Sequence, residues 1–256
     1  MENLLSDPWF YAVAVPAVLL VGLAKGGLGG ALGVFGVPLM ALVIPPVQAA
    51  AIMLPILIVM DIVSLWAWRG VYDKTSLKIM LPGGLLGIAI GWFLAAVVTS
   101  SMVKLIVGIV ALAFAARFFY TLLTTQPAAK SHNVVKGAFW GTVTGFTSFV
   151  SHAGGPPYQV YALPLRQDPK LYTGTSVIFF AIINAVKLIP YFALGQFDTA
   201  NLSASAALMP LAPIATYAGA RIVRRIDISV FYPLMYSAMA LVAVKLIWDG
   251  VHELWM

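Results

Sequence analysis

Cysteine is absent from the 256 residues, which excludes disulfides and thiolate metal sites and leaves the redox compartment open. Charge is almost as scarce. Only 9% of residues are Asp, Glu, Lys or Arg, while 61% are hydrophobic and mean hydropathy is +0.95. No soluble domain of this size hides so much apolar surface, so the bilayer is its solvent. The net charge of +6 lies in short loops between apolar runs, which points to membrane topology and not to nucleic acid. The start, Met1 to Asp7, lacks the basic region of a signal peptide, so no cleavage is expected. Gly-x-Ser-x-Gly, His-Glu-x-x-His and a phosphate-binding Gly-rich loop ending in Lys-Ser/Thr are also missing. The reading is therefore of a non-enzyme without ATP, running on a gradient or downhill. Of three histidines, His132 falls in a loop and His252 near the C-terminus, so neither a metal nor a cofactor is expected.

What the chain has in abundance is glycine and proline, 22 and 16 residues, concentrated at two places inside long apolar segments. One is Ala24-Lys25-Gly26-Gly27-Leu28-Gly29-Gly30. The other is Ser151-His152-Ala153-Gly154-Gly155-Pro156-Pro157. Interior glycine costs a helix about 1 kcal/mol relative to alanine, and proline about 3. These are breaks, and broken backbone at membrane depth must face protein, water or a ligand.

The first break lies in an apolar stretch over 8–44, too long for one crossing of about 20 residues. Spans follow at about 47–67, 77–98 and 102–123, then a polar linker over 124–136. The second half repeats this order: a broken segment at about 137–165, then spans at about 171–195, 201–221 and 229–249. At a shift of about 125 residues Asp61 matches Asn184, Pro82 matches Pro210 and Gly91 matches Gly219, the signature of an internal duplication.

Charge then orients the segments. If each broken segment crossed once, neither face would be the basic one. If each is a hairpin that returns to its own side, Arg69, Lys74, Lys78, Lys130, Lys136, Arg166, Lys170, Arg221, Arg224 and Arg225 share one face. That face is cytoplasmic by the positive-inside rule, and both termini lie outside. Each half then has an odd number of crossings. The expected fold is an all-α polytopic membrane protein of two inverted repeats, residues 1–123 and 137–256, each a broken helical hairpin followed by three transmembrane helices.

Helix N-termini carry about +0.5 elementary charge and unpaired N–H groups. Two of them meeting at mid-membrane beside Lys25 and His152 form an anion site. The substrate-binding candidates are Lys25, Gly26, Gly27, Gly29, Gly30, His152, Gly154, Gly155, Pro156, Pro157, Tyr158, Asn184 and Lys187. Asn184 and Lys187 are three apart on one helix face. Asp61 and His152 are the candidates to exchange a coupling proton; H+ or Na+ would be the coupling ion. The competing readings are close helix packing for the glycines, snorkelling to an interface for Lys187, and an ion pair with Arg69 for Asp61.

At these residues the chain resembles the TauE/SafE family of sulfite and organosulfonate exporters. The resemblance covers nearly the whole chain. It rests on Lys25 to Gly30 running on to Gly36-Val37-Pro38-Leu39, on Ser148 to Pro157, on Gly174-Thr175-Ser176 and on Asn184-Ala185-Val186-Lys187. It implies an inner-membrane permease exporting a small sulfur-containing anion by alternating access. A passive anion channel, and a transporter of some unrelated metabolite with glycines serving only packing, are the alternatives.

Overall fold

The computed structural model describes residues 4–28, 32–94, 100–124 and 128–255. Helix α1, Pro8–Leu23, starts where the Asp7 carboxylate accepts from the Trp9 N–H at 2.9 Å and Pro8 fills the first turn. It runs into a π turn, Ala24–Leu28, where Gly27 sits at φ 137°. No side chain adopts that angle easily, so glycine is needed there. A 3₁₀ turn, Leu32–Phe35, leads into a short α2, Gly36–Met40. Gly36 lies against Val21, so the chain has turned back along α1. Helix α3, Pro46–Ala67, then runs parallel to α1, carrying Asp61 to Lys25 and Trp68 to Gly26.

Two long helices follow, α4 (Lys74–Phe93) and α5 (Ser100–Thr124). The second broken segment is α6, Val134–Ser151, capped by the Asn133 side chain, then a left-handed His152 at φ 54°, then α7, Gly155–Ala162. Tyr161 comes back over Gly137, so α7 returns along α6. Helix α8 spans Pro169–Ala193. The span expected at about 201–221 is bent by 47° between α9, Thr199–Leu208, and α10, Leu211–Val223. Pro210 causes the bend by removing a backbone donor. Helix α11, Ile228–Trp255, completes the chain.

Among the described residues six helical stretches are long and apolar enough to cross a membrane, or seven if the bent α9–α10 pair is one span. The protein is all-α and polytopic. Lipid tails are as apolar as leucine, so helices associate here through close packing and not through burial from water. Glycine supplies the closeness. On the α4–α6 seam Gly87 faces the Thr142 carbonyl and Gly145 the Gly84 carbonyl. On the α1–α10 seam Gly22 meets Ala215 and Gly219 meets the Leu23 carbonyl. Helices α3 and α8 pack together, as do α5 and α11.

The loops after α3, α5, α7 and α10 meet on one face. There Gln167 donates to the Asp73 carboxylate at 2.8 Å, His132 Nε2 approaches it at 3.2 Å, and Arg224 donates to the Ala67 carbonyl. Burial works against the Asp73 charge, but the Ser76 hydroxyl, the Thr75 N–H, the Gln167 amide and the Ser76 N–H outweigh it and hold the carboxyl below its usual range. The opposite face carries the Lys104–Glu253 and Lys245–Asp249 pairs, both at 2.6 Å.

Candidate functional site

Both breaks line one cavity of about 60 Å³. The end of α1 contributes Val21, Ala24 and Lys25, and the segment after it Gly33 and Val37. The end of α6 contributes Ser148 and His152, and the start of α7 Gly154 and Gly155. Helix α8 adds Phe180, Asn184 and Lys187 at spacings of four and three, one face of one helix. Met53 and Leu57 of α3 close an apolar wall. A water needs some 10–15 Å³ of such space, so the cavity of about 60 Å³ has room for about four to six groups of that size.

Its charges are the unusual feature. Lys25 Nζ meets Asp61 Oδ1 at 2.6 Å and lies 5.4 Å from the centre of the Phe180 ring. The other Asp61 oxygen accepts from the Asn184 amide at 2.7 Å. Lys187 is 1% exposed, and its ammonium donates only to the carbonyl and hydroxyl of Ser148, both at 3.2 Å. Among the described residues no carboxylate pairs with it. Lys25 thus has a carboxylate partner and Lys187 has none among the described residues. A buried amine without a counter-ion is costly to charge unless an anion meets it.

His152 is held by its left-handed turn, with Nδ1 at 3.4 Å from the Tyr191 hydroxyl. Its Nε2 is buried and meets no partner among the described residues. Gly154 and Gly155 head α7 and both line the same space. Pro156 and Pro157 have no N–H and are buried behind them, so they shape the helix start without donating.

A larger cavity of about 590 Å³ shares Val37 and His152 with the first and extends past Tyr191 to Lys104, Asp249 and Glu253. On the side of the basic face two hydrogen bonds tie the first break to α3 and its end. Trp68 Nε1 donates to the Gly26 carbonyl at 2.9 Å, and Ser64 Oγ to the Lys25 carbonyl at 3.1 Å.

Of the sequence candidates, Lys25, His152, Gly154, Gly155, Asn184 and Lys187 come together around the cavity. Asp61 stands behind them, joined through Lys25 and Asn184, while the Arg69 guanidinium lies 5.5 Å from the Trp66 ring instead. Gly26 faces α10 against Gly219 and Ala220, and Gly27 faces Thr173 and Val223. Tyr158 is buried in an aromatic cluster with Tyr172, Phe179 and Phe180. Gly29 and Gly30 lie outside the described residues. Lys187 does not snorkel; its ammonium is sealed inside.

Sequence reasoning passed over Ser148 and Phe180. Each sits four residues before a candidate, Ser148 before His152 and Phe180 before Asn184, which is the spacing of one helical face.

The sequence profile described as Sulfite exporter TauE/SafE matches residues 14–246. No curated protein and no solved structure gives a match.

Proposed function

The chain belongs to the sulfite exporter TauE/SafE family, and from that premise we propose that it is a secondary transporter carrying a small sulfur-containing oxyanion out of the cell across the inner membrane. The observation that carries the reading is the unpaired buried amine at the small cavity between the two breaks: Lys25 has Asp61 as its carboxylate, and Lys187 has none among the described residues. An oxyanion there would complete the pairing and accept hydrogen bonds from Lys187, His152 Nε2 and the Gly154 and Gly155 N–H groups. Room for about four to six water-sized groups suits a small oxyanion.

Alternating access is supported by an asymmetry around the cavity. A larger cavity reaching Lys104 and Glu253 adjoins it through Val37 and His152, while on the other side Trp68 and Ser64 hydrogen-bond to the first break. On our reading the basic face is cytoplasmic and both termini are outside, so this is an outward-facing state. Helix pairing supports the inverted repeat: exchanging the halves turns the α1–α10 seam into α6–α4 and maps α3–α8 and α5–α11 onto themselves. Rocking of one half against the other would move Trp68 off Gly26 and open the inner path. Asp61 and His152 are the residues to couple a proton, Na+ being the other ion to try.

Proteoliposomes test the reading. Sulfite uptake should follow an imposed ion gradient to a level above equilibrium in the wild type and fail in Lys187→Met. Equilibration without accumulation would make the protein a passive anion channel. Intact transport in Lys25→Ala and Lys187→Ala would overturn the anion site.

A further inference from the structure

We propose that the groove between α3, α8 and α10 on the basic face is a second anion site, built for the phosphate-bearing headgroup of an anionic phospholipid. The groove has a volume of about 360 Å³ and is separate from the cavity at the two breaks. Arg69, from the end of α3, Lys170, from the first turn of α8, and Arg224, from the end of α10, all line it, and no carboxylate does.

Two of these cations are held in place by aromatic rings. The Arg224 guanidinium lies 5.4 Å from the Trp68 ring and donates to the Ala67 carbonyl. That of Arg69 lies 5.5 Å from the Trp66 ring. Preset cations lose less freedom on meeting an anion than free surface side chains do.

The mouth of the groove selects between ligand sources. Trp66 and Tyr217, both exposed, stand with ring centres 6.3 Å apart on α3 and α10. One turn further along the same two helices, Ile62 and Ile214 are also exposed. Basic groove, aromatic pair and bare aliphatic surface thus follow one another, in the order of phosphate, glycerol backbone and acyl chain in a lipid. A free oxyanion would use the cations alone, and at about 360 Å³ the groove far exceeds a four-atom ion.

The test uses delipidated protein in neutral detergent, titrated with phosphatidylglycerol, phosphatidylcholine, inorganic phosphate or sulfite, and read by thermal unfolding and by native mass spectrometry. The expected result is saturable binding of phosphatidylglycerol but not phosphatidylcholine. The double variant Arg69→Gln/Lys170→Gln, both exposed residues outside the transport site, should weaken it about tenfold or more. Lys74→Gln/Lys78→Gln, on the same face but outside the groove, should leave it unchanged. Equal binding of both lipids, equal loss in the two double variants, or protection by phosphate or sulfite that disappears with Arg69→Gln/Lys170→Gln would each overturn the proposal. Lys187→Met should keep the full lipid response, so this inference and the transport reading fail separately.

Discussion

Asp61 accepts a hydrogen bond from Asn184 at 2.7 Å, although 123 residues separate them in the chain. They sit on helices, α3 and α8, that pack together. Lys25 completes the group at 2.6 Å from the other carboxylate oxygen. Asp61→Asn should strand the Lys25 ammonium and cost about 2–3 kcal/mol, a little below the fully buried range because 16% of the Lys25 side chain is exposed. Lys25→Met/Asp61→Asn should recover most of the loss. Thermal unfolding of the three proteins checks this; equal losses in the single and double variants would contradict it.

Lys187 has no carboxylate to strand. Replacing its buried ammonium by the apolar Lys187→Met should therefore leave the protein without ligand as stable as the wild type, or more stable. A melting temperature several degrees lower would mean that Lys187 is a structural group of the α6–α8 contact instead.

Glycine on the α4–α6 seam serves closeness and not the anion. A Cβ on Gly145 would run into the Gly84 carbonyl, whereas one on Gly33 would meet nothing within 4 Å. Gly145→Ala should cost about 2–3 kcal/mol and Gly33→Ala almost nothing, as measured by denaturation in mixed micelles.

Asp73 ties the loops of the basic face together, and its carboxyl is held below the ordinary range by its donors. A group depressed on folding adds stability that is fully present above its unfolded value and disappears as pH falls through its folded one. In a His132→Gln background, which removes the imidazole 3.2 Å from the carboxylate, the stability difference between Asp73 and Asp73→Asn proteins should be constant above about pH 5 and shrink progressively below the ordinary carboxyl value near 4. A difference that grows on acidification would reverse the assignment.

The two breaks, and the gathering of Lys25, His152, Asn184 and Lys187 at one cavity, were legible because membrane depth makes each rule strict. Glycine clusters and buried Lys or Asp have few uses in hydrocarbon, so their positions spoke directly. What the chain order could not convey was direction around each helix at the π turn. One residue past Lys25 the backbone has rotated enough to aim Gly26 at α10 and not at the cavity that Lys25 lines. Tyr158 failed to reach it for a similar reason: the first turn of α7 faces the cavity, and the next faces the aromatic cluster. Ser148 was hidden because a serine inside a helix ordinarily bonds its own backbone, and its use as an anchor for Lys187 depends on where α8 lies.

Equilibrium binding of radiolabelled sulfite to the purified protein tests the central claim most directly. The account predicts saturable binding of one anion per chain, weakened about 10–100-fold in Lys187→Met, as fits the loss of one charged hydrogen-bond donor. Undiminished binding in Lys187→Met, with that variant folded, would contradict it.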